Sequence, residues 1–282
     1  MKLFSICIIS FLFIQCSTKV ELENDKAHKA ISQTDDFKII WHWEDEFSEV
    51  DQEKLKTWLN EVTDYTMLTL GQYQFDLHYY FHLSDGGEPV PFAHTTRKKD
   101  HQSVHFYVNP SFTLEEFIGD WTAQHEISHL SAPFVGRKNM WFSEGYATYL
   151  SRKIMIRQGY YSNSSFDSLY THRIGGDNNL YNSSDLSVVE LCSELKSAHN
   201  YSSIYYAGSA YFFLADMALK ADSNMELIEV VQQYQTQNRL LDDNLSQVIA
   251  SFDQISQSTI FSELYEKFTN GNSADVLKIF RQ

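Results

Sequence analysis

The chain has 282 residues, of which 43% are hydrophobic and 15% aromatic, and this is ample for the buried core of one large domain or two modest ones. The formal net charge is −15. Because phosphate groups are bound by clustered Lys and Arg, this acidic balance predicts that nucleic acid is not a partner. The sequence leaves the oligomeric state unknown.

The N-terminus has the pattern of an export signal. Lys2 precedes a largely apolar run over residues 3–14, which is too short to span a bilayer and has the length of a signal-peptide core. Cys16 follows, and residues 1–15 resemble a bacterial lipoprotein signal, although the residues just before the cysteine depart from the usual pattern. The resemblance implies lipidation of Cys16, a tether over residues 16–36 and a membrane-anchored protein that faces the periplasm or the cell surface. An ordinary signal peptide is the alternative.

Hydrophobic periodicity predicts a β-rich front part. A strand is expected over residues 37–43 and a helix over 51–70, and three further strands are expected over 75–83, 89–97 and 103–108. These elements would form a small sheet with one crossing helix. The chain therefore begins its folded body as an α+β protein.

The rest of the chain is predicted to be mainly helical. Thr113-Leu-Glu-Glu116 has the capping-box pattern and predicts the start of a helix that runs on through Trp121. A second helix is expected over residues 140–158, a long loop over 160–185, and helices over most of the remainder. The expected parts are a signal peptide, 1–15, a tether, 16–36, a β-rich front with the two site helices, 37–160, and a loop followed by a helical C-terminal subdomain, 161–282.

The first of these helices carries a complete His-Glu-x-x-His box, His125-Glu126-Ile-Ser-His129. On a helix, residues four apart differ by roughly 40° in azimuth and about 6 Å in height, so both imidazoles point from one face toward a common point. Glu126 then lies beside the metal rather than on it, which is the general-base position of a metalloprotease. The box predicts a zinc site with its own base.

A catalytic zinc ion usually takes three protein ligands, and Glu144 on the next helix is the candidate for the third. It lies in the segment Trp-Phe-Ser-Glu144-Gly-Tyr-Ala-Thr-Tyr. Together with the box, this segment resembles the gluzincin zinc metallopeptidases, whose aminopeptidase N and glycyl aminopeptidase branches carry a Trp-x-x-Glu-Gly-x-Ala/Thr-x-Tyr pattern. The resemblance implies a thermolysin-like zincin catalytic domain of the α+β class, with one Zn²⁺ per chain held by His125, His129 and Glu144.

In the same branches a tyrosine three residues before a glycine, on a later helix, helps to stabilise the oxyanion. Tyr205-Tyr-Ala-Gly208 matches that spacing, so the resemblance implies this role for Tyr205, with Tyr206 as the alternative. The lysine that usually precedes the glycine is replaced by Ala207. No Gly-x-Met-Glu-Asn motif, which holds the free amine of the substrate in aminopeptidase N relatives, is found upstream. Aminopeptidase specificity is therefore not implied, and the choice between endopeptidase and exopeptidase stays open.

These residues favour a zinc-dependent metallopeptidase that cleaves a peptide or protein substrate by Glu126-assisted attack of a zinc-activated water. Two alternatives remain. One is a catalytically silent binding module on the same fold, and the other is a zinc hydrolase that acts on a non-peptide bond. The presence of both histidines, Glu126 and Glu144 speaks against the silent module.

The other histidines do not have ligand spacing on a recognisable helix. His78 and His82 are four apart, as are His101 and His105, but both pairs fall in predicted strands. In a strand, residues four apart lie about 13 Å from each other, so neither pair converges on one ion. We therefore expect these histidines, like His42, to be structural or exposed.

Overall fold

The computed structural model describes residues 37–98, 101–176, 180–181 and 185–281. The predicted signal peptide, the tether and Cys16 lie outside the described residues. From Phe37 onward the chain clusters into one unit, which joins the predicted parts 37–160 and 161–282. Among the described helices, none has the length and apolar character needed to cross a membrane.

A four-stranded mixed sheet forms the front of this unit. Its strands are β1 (Ile39–Trp43), β2 (Leu77–Leu83), β3 (Phe92–Lys98) and β4 (His101–Val108), in the spatial order β1-β2-β4-β3. β1 runs parallel to β2 and β2 runs parallel to β4, whereas β3 pairs antiparallel with β4 and forms an edge of the sheet. The predicted strands and the α+β class are therefore present.

One face of the sheet packs on helix α1 (Glu49–Leu70), which connects β1 to β2. Strand residues alternate between the two faces, and the residues on this inner face, such as Tyr79 and Phe106, are fully buried. Trp58 of α1 contacts Phe106 edge to face at 5.3 Å between ring centroids, and the Thr63 hydroxyl lies 2.7 Å from the Tyr79 hydroxyl. Large aromatic side chains thus fix α1 on the inner face.

The predicted continuous helix that carries the box is in fact two helices. The capping box between Thr113 and Glu116 is present and begins α2 (Leu114–Gly119), but the helix ends there and α3 (Thr122–His129) begins three residues later. Asp120 is extended at φ −76° and ψ 131°, and its carboxylate accepts a hydrogen bond of 2.7 Å from the backbone N–H of Thr122. Poor helix propensity at Gly119 and local capping by Asp120 explain the break.

Helix α4 (Met140–Arg157) agrees with the second predicted helix, but the loop expected over residues 160–185 was wrong in its first half. Helix α5 (Asn163–Gly175) occupies that stretch, and the Ser162 hydroxyl caps its N-terminus. Phe166, Tyr170 and Ile174 recur every four residues and are all buried. This apolar spacing was the available signal, and the surrounding Ser and Asn residues obscured it.

The C-terminal half packs as a layer of helices against α4. Trp141, Phe142 and Tyr146 of α4 contact aromatic residues of the following helices and share one core with them. The remaining helices are α6 (Val188–Ser197), α7 (Tyr201–Ser223), α8 (Leu227–Gln237), α9 (Leu245–Ser256), α10 (Ile260–Asn270) and α11 (Ser273–Val276).

A buried carboxylate joins three of these helices. Asp216 of α7 accepts hydrogen bonds from the Tyr149 hydroxyl at 2.5 Å, from Lys153 at 2.9 Å and from Lys220 at 3.1 Å. Its second oxygen accepts the backbone N–H of Leu227 at 2.8 Å, at the start of α8. Burial alone would raise the pKa of Asp216, but the attraction of Lys153 and these hydrogen bonds outweigh it and lower the pKa below its usual value.

We expect Asp216→Asn to lower the free energy of unfolding by about 3 kcal/mol, because it breaks a buried ion pair. This is the low end of the usual range, since Lys220 is partly exposed. Since the folded-state pKa is depressed, the contribution is complete above the usual pKa of Asp and is lost as the pH falls through the folded-state value. Urea denaturation should therefore show a constant difference from wild type near neutral pH that shrinks only below about pH 4.

Asp222→Asn is the matched control, because Asp222 lies on the same helix and is exposed. Its effect should stay within about 0.5 kcal/mol. A loss at Asp216 no larger than this control would contradict the structural role of the buried carboxylate.

Candidate metal site

Three side chains from α3 and α4 converge on one another. His125 and His129 are 3% and 4% exposed, and both aim Nε2 at the same oxygen of Glu144, at 3.1 Å and 3.5 Å to Oε2. One ligand atom from each of the three residues lies within 4.8 Å of the other two. In the part of the chain that the structure describes, this is the one such group of His, Cys, Asp or Glu residues.

The donor set fits a late transition-metal ion. Two ligand atoms bound about 2.0–2.2 Å from a tetrahedral zinc ion lie roughly 3.3–3.6 Å apart, close to the two separations measured here. Two imidazole nitrogens and one carboxylate oxygen are also the donor types that zinc takes in catalytic sites, with one position left open. The residues present are therefore compatible with a metal ion, as the box and Glu144 predicted.

The surroundings hold His129 and Glu144 in the protonation states that bind metal. Burial lowers the pKa of His129 in spite of the neighbouring carboxylate, so its imidazole is neutral at pH 7. Burial acts in the opposite sense on Glu144, but the hydrogen bonds from the two histidines hold the pKa of the Glu144 carboxyl well below its usual range. A neutral imidazole and an ionised carboxylate are the ligand forms.

Packing orients the first histidine. The Trp121 ring meets the His125 ring edge to face at 4.9 Å between centroids, and the rings of His125 and His129 meet edge to face at 4.8 Å. The Nδ1 atoms of both histidines are buried, and no described residue accepts a hydrogen bond from them. Ring packing therefore performs the orienting role that a carboxylate or carbonyl acceptor often has for metal-binding histidines.

Glu126 lies next to the converging groups without joining them. Its carboxylate Oε2 accepts a hydrogen bond of 2.6 Å from the Thr95 hydroxyl, which also lies 3.0 Å from the Glu126 carbonyl oxygen. Thr95 belongs to the edge strand β3. This contact fixes one carboxylate oxygen of Glu126 and leaves the other available, which suits a group that accepts and returns a proton.

The C-terminal end of α3 is held by side chains from distant segments. A helix end leaves carbonyl groups without helical partners, and here each of the four carbonyls from Ile127 to Leu130 accepts a side-chain hydrogen bond. The donors, in the order of the carbonyls, are Tyr73, Ser131, Arg97 and Arg239. Tyr73, Arg97 and Arg239 lie far from the box in sequence, so the tertiary fold positions the two histidines.

Helix α7 approaches the site through two glycines. A methyl group on Gly145 would overlap the backbone of Gly208, and one on Gly208 would overlap the carbonyl of Trp141. Helices α4 and α7 therefore cross with their backbones in contact, directly beside Glu144. This close crossing brings the first turns of α7 next to the candidate ligands.

Of the two candidate tyrosines, Tyr205 faces the site. Its ring lies 5.6 Å from the ring of His125 and 6.4 Å from that of Trp121, between centroids. Tyr206 instead packs against the core, with the guanidinium of Arg173 5.2 Å from its ring centroid. Burial, with the nearby Glu144 and Glu126 carboxylates, raises the pKa of Tyr205 above its usual value, so its hydroxyl keeps its proton as a donor.

Sequence reasoning missed Thr95, Arg97 and the other side chains that hold α3. The short strand around Thr95 was expected, but nothing in its composition indicates which helix it faces.

No model of a known protein family matches the chain, and no curated protein matches it. The resemblance to gluzincins therefore stays a prediction from the motif residues.

We expect Gly145→Ala to lower the free energy of unfolding by about 1–3 kcal/mol, the usual cost of overpacking. Alanine is favoured over glycine in a helix by about 1 kcal/mol, but the added methyl meets the backbone of Gly208, which cannot turn away as a side chain can. Thermal and urea denaturation would measure the change.

Gly87→Ala is the control, because no atom lies within 4 Å of a methyl group added there. Its stability should change by no more than about 0.5 kcal/mol. If Gly145→Ala instead gained the full helix-propensity advantage, the two helices would not be in backbone contact.

Proposed function

We propose that the protein is a zinc metallopeptidase that hydrolyses peptide bonds. The observation that carries the proposal is the convergence of His125, His129 and Glu144 beside an uncoordinated Glu126. Both parts are needed, because a metal site without a base could be purely structural. A bound zinc ion would supply Lewis acidity and would lower the pKa of a water molecule toward about 7.

The residues around the ion have separate tasks in this mechanism. Glu126 accepts the proton of the attacking water on its free carboxylate oxygen and then delivers it to the nitrogen of the leaving amine. Thr95 is a positioning residue that keeps the carboxylate in place. Tyr205 retains its phenolic proton and donates a hydrogen bond to the oxygen that becomes negative as the carbonyl carbon turns tetrahedral.

The edge strand favours a peptide as the substrate. β3 has β4 as its one strand neighbour in the described sheet, and it contacts α3 through Thr95 and Arg97. An extended peptide can add to such an edge by backbone hydrogen bonds, which gives binding that does not depend on side-chain sequence. A substrate bound along this edge would present its backbone beside Glu126. This arrangement supports peptide over non-peptide hydrolysis.

The purified full chain is expected to contain about one tightly bound zinc ion attributable to this site. His129→Ala should lose one equivalent of zinc, because a ligand is removed. Glu126→Gln should keep the zinc and cleave at least roughly 10²-fold more slowly, because an amide cannot accept the proton. Elemental analysis would measure the zinc, and mass spectrometry of a digested peptide library would measure cleavage.

His172→Ala is the matched control, since His172 is an exposed histidine on α5, and it should keep both zinc and activity. Equal zinc in wild type and His129→Ala would refute the ligand set. Equal cleavage by wild type and Glu126→Gln would refute the mechanism. Zinc binding without cleavage of any library peptide would favour the silent binding module or a non-peptide hydrolase.

The two neighbouring tyrosines should differ in their effect on turnover. Tyr205→Phe removes the donor aimed at the oxyanion and is expected to lower kcat roughly 10²- to 10³-fold, as loss of one such donor does, with little change in KM. Tyr206→Phe removes a hydroxyl that faces away and should leave kcat within about twofold. Steady-state kinetics on one cleaved peptide would decide, and the reverse ranking would assign the role to Tyr206.

A further inference from the structure

The face of the sheet opposite α1 carries an unusual concentration of imidazoles. Residues paired across neighbouring strands point to the same face, and the register pairs His42 with Tyr80, Tyr80 with His105, and His105 with His94. All of these side chains are half-buried or exposed. The outer histidine face, as we name it, comprises six of the eleven histidines of the chain: His42, His78, His82, His94, His101 and His105.

Two pairs on this face have ring nitrogens at ligand separation. Nε2 of His42 lies 2.9 Å from Nδ1 of His78, and Nε2 of His82 lies 3.2 Å from Nδ1 of His105. In each pair the two residues come from adjacent strands. The prediction concerned residues four apart within one strand, and it did not consider these contacts between histidines of adjacent strands.

A third histidine flanks each pair. The ring of His94 lies 4.6 Å from that of His105, and the ring of His101 lies 4.3 Å from that of His78, between centroids. Each resulting trio takes one imidazole from each of three neighbouring strands, with β4 and β2 in both. The first trio is His82, His94 and His105, and the second is His42, His78 and His101.

The nitrogen separations within the two pairs match the coordination geometry of a divalent ion. Nitrogens bound about 2.0–2.1 Å from one ion, at angles between 90° and the tetrahedral value, lie roughly 2.9–3.4 Å apart. The paired nitrogens already satisfy this, and rotation of the third ring about its side-chain bonds would complete each set. Without metal, one N–H donates to the other nitrogen of the pair, and a metal ion would replace that proton.

The type of donor indicates which ions this face could bind. Imidazole donors select late first-row ions, whereas Mg²⁺ and Ca²⁺ prefer oxygen.

We propose that the outer histidine face is a second metal-binding surface, separate from the candidate catalytic site, and that each trio binds one late first-row divalent ion. The Irving–Williams order predicts that Cu²⁺ binds more tightly than Zn²⁺ or Ni²⁺. The pairs His42–His78 and His82–His105 anchor the ions. The proposal does not depend on peptidase activity, because no residue of the face belongs to the His125, His129 and Glu144 group.

The test uses the full chain with His129→Ala, which disables the candidate catalytic site, after removal of metal with EDTA. Equilibrium dialysis against micromolar Cu²⁺ at neutral pH, followed by elemental analysis, should show two Cu²⁺ ions bound per chain at the outer histidine face. His105→Gln should remove one, and His105→Gln with His78→Gln should remove both. The electron paramagnetic resonance spectrum of bound Cu²⁺ should show coupling to nitrogen, and this signal should decrease as each variant loses an ion.

Two further variants keep the test decisive. His94→Asn changes an exposed residue of an edge strand, so it can be tested even if the substitutions at His105 or His78 impair folding. It should weaken Cu²⁺ binding by at least the roughly 10- to 100-fold that loss of an outer-shell partner costs. His172→Asn, away from the sheet, should change nothing. The proposal is overturned if the chain binds no Cu²⁺ at micromolar concentration, or if the face variants bind it as the His172→Asn control does.

Discussion

The candidate site depends on how the carbonyl groups at the C-terminal end of a short helix are hydrogen-bonded. Helix α3 has only eight residues, and isolated helices of this length are not stable in water. At its end, the carbonyls of Ile127 and Ser128 accept backbone hydrogen bonds from Leu130 and Ser131, and side chains add further donors. These side chains come from β3, from the segment after α1 and from the segment after α8. The box is therefore helical because the surrounding fold holds its end.

The same constraint gives two arginines a structural role close to the candidate metal ligands. Arg97 donates to the His129 carbonyl at 3.1 Å, and Arg239 donates to the Leu130 carbonyl and, at 2.7 Å, to Gln102 of β4. Arginine suits this role because its fork of donors can reach two acceptors at once and it stays charged when buried. A positive charge at a helix C-terminus also opposes the helix dipole. Sheet, site helix and C-terminal helices are thus joined at one point.

The parts of the site that follow local rules could be predicted from the sequence. The spacing of His125 and His129 fixes their common face on any helix, and the capping box at Thr113 specifies a helix start wherever it occurs. The position of Glu144 needed only an antiparallel return of the chain, because α4 follows α3 after a short loop. In contrast, Thr95 and Arg97 are more than 25 residues before Glu126 and His129, whose carboxylate and carbonyl they contact. Which helix an edge strand faces is a property of the whole fold.

The histidines of the sheet also show that contacts between strands could not be predicted from the sequence. Period-two alternation correctly separates residues four apart within a strand, but only the register across strands tells which imidazoles meet. That register places His94 opposite His105 and Thr95 opposite Val104. His94 and Thr95 are consecutive, so their side chains point to opposite faces. One strand therefore contacts the proposed catalytic base on its inner side and carries His94, a proposed metal ligand, on its outer side. The two proposed sites lie on opposite faces of the sheet.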